Sequence, residues 1–224
     1  MKIKAIGIDP SLRNFGLVVA EIDISNDDYP FEIKDMMLAQ TESSKETKKT
    51  VRKNSDDLRR AKILHDGMMH MINKHKVTFA FVEIPTGSQT ARAMSSYGIC
   101  IGILSACPVP MIQLTPFEVK LAGTGIKTAT KHEMIEAAFT EHPEAKWLMH
   151  KRNGEMVLKE SNEHLADATF AIKAGINTDE FRFSAGMMRN AFLDAAQSVY
   201  TRPCKRCMDR KSSTHHVKKR LLFI

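Results

Sequence analysis

Two acidic residues of this sequence stand at the ends of apolar runs, where a strand of a buried sheet would stop. Asp9 ends KIKAIGID (2–9), and Glu83 lies near the end of VTFAFVEI (77–84). A carboxylate buried at a strand end is costly in free energy unless it is paired or coordinates a metal ion. Asp9 alone fits a turn residue equally well, whereas turns do not favour Glu. If the two strands are neighbours, the carboxylates meet, and like charges that close need a cation between them.

A third feature lies late in the chain, where His164 and Asp167 are three residues apart. This spacing places both side chains on one face of a helix, although the pair taken alone favours a solvated helix face. Carboxylate oxygens select Mg²⁺ or Mn²⁺ over softer metals. The order of these residues along the predicted elements, rather than any one of them, therefore indicates a metal-dependent active site.

The apolar pattern predicts the elements that would position these residues. Strands are expected at 2–9, 15–23, 31–40, 77–84 and 108–115, and helices at about 55–75, 88–106, 116–122, 128–141, 161–174 and 184–200. Asn153-Gly154, between two extended segments, predicts a β-hairpin with a type I′ turn at 147–160. The order predicts an α/β fold, with a mixed five-stranded sheet whose first three strands are antiparallel and with helices on both faces.

Composition is that of a globular protein with one principal domain. The 224 residues are 43% hydrophobic, enough to bury a sizeable core. The opening MKIKAIGIDP does not resemble a signal peptide, and no apolar run approaches the roughly 20 residues that span a bilayer. Four cysteines do not form a disulfide framework at this length. We therefore expect a soluble, cytoplasmic protein without membrane contact.

The net charge of +7 is concentrated in the tail 201–224, and a second basic run, KETKKTVRK, occupies 45–53. Such blocks are typical of flexible arms that bind phosphates, although they also serve solubility. The candidate DNA-binding residues in these blocks are Lys48, Lys49, Arg52, Lys53, Arg206, Arg210 and Lys211.

Four segments, in order, resemble the motifs of the RuvC family of Holliday junction resolvases, which have an RNase H-like fold. They are IGIDPSLR (6–13) continuing through GLVV (16–19), FVEIP (81–85), TPFEVKLAGTGIKTATKHEM (115–134) and ADATFAI (166–172). The resemblance covers about residues 1–174. It implies a nuclease domain at 1–180, with a hairpin insertion at about 147–160, and a C-terminal helix with a basic Cys/His-containing tail at 181–224.

The resemblance also implies a site. Asp9, Glu83, His164 and Asp167 would be the catalytic metal ligands, with Glu163 as a competing ligand. Two Mg²⁺ (or Mn²⁺) ions roughly 4 Å apart would activate a water and stabilise the departing 3′ oxygen, leaving 5′-phosphate ends. Lys131 would neutralise the phosphate or position the water.

The implied substrate is branched DNA, a four-way junction or a fork, and Arg13, Lys120 and Lys127 would contact it. Because a junction has two symmetric strands to cut, a homodimer is expected. The helix at 55–75 would form the dimer surface, with Met68 and Met69 belonging either to that surface or to the core.

The sequence departs from the family in the stretch PTGSQTARAMSSY (85–97), which has no aromatic residue before Tyr97 where the family has one that stacks on bases. Arg92 would be a planar substitute. Two alternatives stay open: a less selective nuclease acting on forks, flaps or single strands, and a catalytically inactive nucleic-acid-binding module. The additions at 147–160 and after 175 indicate a divergent member; phage origin is one interpretation, and would place it in the host cytoplasm.

The tail contains Cys204-x-x-Cys207 followed by His215 and His216, a spacing found in zinc sites. Adjacent histidines rarely share one tetrahedral ion, and the surrounding basic residues oppose a dication. The sequence therefore favours a DNA-contacting tail over a structural zinc site.

Overall fold

The computed structural model describes residues 1–44, 53–84, 87 and 89–201. The strands are β1 (Lys2–Asp9), β2 (Asn14–Asp23), β3 (Phe31–Gln40), β4 (Phe79–Glu83), β5 (Met111–Leu114), β6 (Met149–Arg152) and β7 (Glu155–Leu158). The helices are α1 (Lys53–His75), α2 (Ala91–Ser105), α3 (Pro116–Thr124), α4 (Lys131–Glu141), α5 (Glu163–Gly175) and α6 (Asp179–Thr201), with a 3₁₀ turn at Glu160–Asn162 before α5. Each predicted element is present, and most bounds differ by only a few residues.

The main sheet has the order β3-β2-β1-β4-β5. β1 pairs antiparallel with β2, and β2 with β3, whereas β1–β4 and β4–β5 are parallel. The predicted α/β fold with a mixed sheet and three antiparallel opening strands is therefore confirmed. In the parallel pair, Ile8 lies opposite Val82, so the next residues, Asp9 and Glu83, come at the same edge of the sheet.

One face of the sheet packs against α1 and α2. Ile6 and Ile8 of β1 contact a buried cluster that includes Leu64 and Met68 of α1. Met68 is fully buried and therefore belongs to the core, whereas Met69 is half-buried and packs against the same cluster.

The opposite face of the sheet is covered by α5, and two glycines permit the close approach. A Cβ at Gly7 would overlap the carbonyl oxygen of Ala168, and a Cβ at Gly16 would overlap that of His164. The helix backbone therefore lies directly on β1 and β2. This contact sets how far His164 stands from the end of β1.

Two features lie beyond this core. β6 and β7 form a separate two-stranded sheet, and Asn153 and Gly154 have the positive φ angles, 51° and 91°, that a type I′ turn requires. The chain divides into a first unit, Met1–Ser184, and a second that begins at Ala185. Among the described residues, no helix combines the length and apolar character that crossing a membrane requires.

Candidate active site

Three elements bring the predicted ligands together at one edge of the sheet. Asp9 and Glu83 end the neighbouring parallel strands β1 and β4, and His164 and Asp167 lie in the first two turns of α5. The ring nitrogen Nδ1 of His164 donates a hydrogen bond to Oδ2 of Asp9 over 2.6 Å. These two side chains are 155 residues apart in the chain and both are largely buried.

A second group of charges flanks this pair. Glu163, the first residue of α5, lies 3.3 Å from Nε2 of His164 through Oε1 and 2.6 Å from the Lys131 ammonium through Oε2. Lys131 opens α4 after a capping box formed by Thr130 and Glu133. The cap fixes the helix start, and the lysine side chain extends from there beside the acidic residues while 79% exposed to solvent.

Burial and mutual repulsion perturb the carboxyl groups. Burial, reinforced by the charge of Asp9, raises the pKa of Glu83 to about 7, and the charge of Lys120 offsets only part of this. Burial also raises the pKa of Asp167 well above its usual range, and the charges of Asp9 and Glu83 raise it further. The carboxyl groups therefore cannot all ionise here without added positive charge.

His164 supplies some of that positive charge. Burial opposes its protonation, but the hydrogen bond to Asp9 and the charges of Asp9 and Glu163 outweigh burial, so its pKa is raised. The raised pKa favours the protonated imidazole, which would act as a counter-ion to these carboxyl groups.

Carboxylate oxygens with one imidazole are a donor set that suits Mg²⁺ or Mn²⁺. Within the described residues, however, no three such side chains are already arranged as a metal-binding group. Asp9 accepts its hydrogen bond from His164 instead. The residues therefore fit a divalent ion by their chemistry, and the hydrogen bond from His164 engages one of the two carboxylate oxygens of Asp9.

The predicted DNA-binding residues near the site are distributed around it. Arg13 is exposed in the turn between β1 and β2, and Lys127 is exposed between α3 and α4. Lys120 lies on α3, half-buried, near enough for its charge to act on Glu83. Of these three residues, Lys120 therefore acts directly on the acidic group, and the contacts of all three with DNA stay predictions.

Arg92 is engaged within the protein. Its two terminal nitrogens donate to the carboxylate oxygens of Asp57 on α1, over 2.6 and 2.7 Å. The planar group predicted to replace a stacking aromatic is thus held in a bidentate ion pair. Its contact with a base stays a prediction, and that contact would require the ion pair to open.

The remaining predicted positions lie in or beside the undescribed segments. Lys53 is the first residue of α1. Outside the described residues lie Lys48, Lys49, Arg52, Cys204, Arg206, Cys207, Arg210, Lys211, His215 and His216. Their predicted roles, zinc binding included, stay predictions.

Sequence reasoning did not single out one exposed aromatic residue of α3, the helix that also carries Lys120. Phe117 lies in the first turn of α3 with 60% of its surface exposed. Leu114, which pairs with Glu83 across β4 and β5, precedes Phe117 by three residues, so the chain holds their two α-carbons within about 11 Å of each other. The sequence signal for this residue was its position: an aromatic residue directly after Thr115-Pro116, where a helix starts.

Sequence comparison finds relatives among curated proteins, although no family model matches this chain. The crossover junction endodeoxyribonuclease RuvC of Synechococcus sp. strain CC9605 is 28% identical over 142 residues, which are 62% of this chain and 83% of that protein. The RuvC protein of Prochlorococcus marinus strain MIT 9211 is 32% identical over 96 residues, 42% of this chain and 60% of that protein.

Structural comparison finds proteins of the same name. A structure of Thermus thermophilus RuvC in complex with Holliday junction substrate matches 82% of this chain and 97% of its own, with a TM-score of 0.55 and 17% identity. A second Thermus thermophilus RuvC structure matches 77% of this chain and 92% of its own, with a TM-score of 0.52 and 20% identity. At these identities the structural matches establish the fold, and the sequence relatives carry the same name. The chain is therefore similar to RuvC proteins in sequence and shares their fold.

Proposed function

We propose that this protein is a divalent-metal-dependent, structure-selective endonuclease that resolves branched DNA such as Holliday junctions. The observation that carries the proposal is the meeting of Asp9, Glu83, His164 and Asp167 at one sheet edge. Support comes from the RuvC relatives, which are named crossover junction endodeoxyribonucleases, and from a RuvC neighbour whose structure contains Holliday junction substrate.

In the proposed reaction, these four side chains hold Mg²⁺ or Mn²⁺, two ions per site, and Glu163 competes as a ligand. The ions, when bound, supply a water of lowered pKa and stabilise the departing 3′ oxygen, which leaves a 5′-phosphate end. The chain's own part begins with deprotonation: Glu83 and Asp167 have raised pKa values and must lose their protons to bind a cation.

The two family lysines take different roles in this proposal. Lys131 is bound to Glu163 over 2.6 Å and is largely exposed, so its ammonium group can turn toward a phosphate that arrives beside the acidic residues. There it would offset the negative charge that develops on the phosphate. Lys120, on the Glu83 side of the site, would hold the neighbouring backbone.

We also propose a homodimer, since a junction offers two symmetric strands and a two-fold dimer presents two sites. Part of α1 supports this: the apolar side chain of Leu58 is 72% exposed, whereas Met68 on the same helix is fully buried. With Ala61 it lines a groove between α1 and α2, whose other side includes Ile99 and Ile103. Burying this groove against a second copy would remove apolar surface from water.

A second candidate keeps the fold and the chemistry but widens the substrate range to forks, flaps and single strands. The absence of an aromatic residue between Glu83 and Tyr97 in the sequence favours it. Base stacking is worth about 1–3 kcal/mol per base, so losing a stacking residue weakens the preference for a junction.

The test is Mg²⁺-dependent cleavage of a labelled four-way junction beside a fork, a duplex and a single strand of matched sequence. Glu83→Gln should abolish cleavage, whereas Glu136→Gln, at an exposed acid on α4, should preserve it. Paired, symmetric nicks confined to the junction support the resolvase. Equal cutting of forks and single strands supports the second candidate, and Mg²⁺-independent binding without cleavage would indicate a module that only binds nucleic acid.

A further inference from the structure

We infer that the β6–β7 hairpin is an additional nucleic-acid contact, a ribbon that lies in a groove of the DNA beside the active site and binds backbone phosphates through Lys151 and Arg152. The inference rests on the proposed function in one respect, that the substrate is DNA. The two residues do not belong to the basic runs or to the RuvC-like motifs of the sequence.

The hairpin is anchored at the start of the helix that carries two of the predicted metal ligands, on the 3₁₀ turn that precedes α5. The side chain of Asn162, fully buried, accepts a hydrogen bond from the Leu148 amide over 2.9 Å and donates one to the Leu148 carbonyl over 2.8 Å. The Lys159 amide donates to that same carbonyl over 2.9 Å. These hydrogen bonds hold the two ends of the hairpin together and attach them to Asn162, which lies two residues before His164.

The preceding segment is fixed as well. Trp147 is buried, and its indole nitrogen donates to the carbonyl of His142 over 2.8 Å. The ribbon therefore begins at a segment whose side chains are buried and hydrogen-bonded. Its four-residue strands rise about 3.3 Å per residue, so the turn lies roughly 13 Å beyond the root.

Packing does not explain the outer half of this ribbon. Residues 151–156 are all exposed, and Met156 is 61% exposed. A two-stranded hairpin without a covered face is marginally stable in water, so an element held out from the protein in this way gains little from burial. A two-stranded ribbon does, however, fit the width of the major groove of duplex DNA.

The charges of the ribbon suit a phosphate backbone. Lys151 and Arg152 are adjacent in β6, so they project to opposite faces and present a cation on each side of the ribbon. Neither forms an ion pair with another described residue. The strands contain one acid, Glu155, which lies opposite Arg152 on the same face and leaves Lys151 without a nearby carboxylate of the ribbon.

The test compares two double charge reversals in a Glu83→Gln background, which prevents cleavage during binding. One is Lys151→Glu with Arg152→Glu. The matched control is Lys76→Glu with Arg182→Glu, two exposed cations near the amino end of β4, away from Glu83. Binding to a labelled four-way junction is measured by fluorescence anisotropy from 50 to 300 mM salt.

Each phosphate contact contributes about 0.9 to the slope of log affinity against log salt concentration, so losing two contacts should reduce the slope by about 1.8. The control should keep the slope of the Glu83→Gln parent. An unchanged slope in the hairpin variant, with normal binding by the parent, overturns the hairpin inference alone. Failure of both the parent and the unmutated protein to bind any DNA overturns the proposed function and the hairpin inference with it.

Discussion

Glu83 makes the stability of the protein depend on pH in a direction opposite to that of an ordinary ion-paired carboxylate. Its pKa is about 7 in the folded protein against 4.5 for an unperturbed glutamate, so the folded state holds the proton more tightly than the unfolded state does. The stabilisation is complete below about pH 4.5 and is lost as the pH rises through 7. Without metal, the free energy of unfolding should therefore fall between pH 5 and 8.

The magnitude follows from the difference between a pKa of about 7 and one of 4.5, which at about 1.4 kcal/mol per pKa unit gives roughly 3.5 kcal/mol for Glu83. Asp167 and His164 also have raised pKa values and contribute with the same sign, so the fall in the unmutated protein should be larger. The assay is urea unfolding in EDTA at several pH values. Glu83→Gln should flatten the profile by at least about 3.5 kcal/mol, because it also removes the part of the Asp167 pKa shift that Glu83 causes.

Mg²⁺ provides the complementary measurement. Because the ion binds the deprotonated carboxylates, it should stabilise the unmutated protein much more at pH 8 than at pH 5, by about 2.7 kcal/mol at a hundred times its dissociation constant. Glu136→Gln, at an exposed acid, is the control and should follow the unmutated profile. Identical pH profiles for the unmutated protein and Glu83→Gln would refute the electrostatic account of the site.

Two further substitutions test the geometry around the site. Gly16→Ala should destabilise the protein by about 1–3 kcal/mol and weaken Mg²⁺ binding, because the new Cβ would displace the backbone at His164. The control is Gly98→Ala, because a Cβ at Gly98 would meet open space. Calorimetric unfolding and Mg²⁺ titration measure both effects, and a stable Gly16→Ala protein that binds Mg²⁺ normally would contradict this. Phe117→Ala should weaken binding to substrates with unpaired bases by about 1–3 kcal/mol and leave binding to duplex unchanged. The control is Phe183→Ala, at another exposed aromatic residue, on α6, and it should change neither. An equal loss of binding to duplex would argue against stacking by Phe117.

Most secondary structure could be predicted because its signals are local. β1 and β3 begin and end at the predicted residues, and the hairpin turn forms at Asn153-Gly154, where two consecutive residues must adopt positive φ. The last helix is the largest difference. It begins at Asp179 rather than 184, because Phe181 packs against Phe79 and Phe81, contacts between segments about 100 residues apart that periodicity does not contain.

Tertiary contacts also decided which side chains of α1 and α2 are buried, exposed or ion-paired. Leu58 and Met68 are both apolar residues of α1, yet Met68 enters the core and Leu58 stays exposed. Arg92 looked free in the sequence, whereas its partner Asp57 lies 35 residues earlier. Which members of an apolar or charged pattern find partners is decided by the neighbouring element and not by the pattern itself.

The sequence alone determined the candidate ligands, since Asp9 and Glu83 end apolar runs and His164 and Asp167 share a helical face. Only the tertiary structure decided that β1 and β4 are parallel neighbours and that α5 lies on glycines close enough for His164 to reach Asp9. The physical reason is that a residue's type and period fix its local conformation. The distance between two charges far apart in the chain, and with it the pKa of each, depends on how whole elements pack.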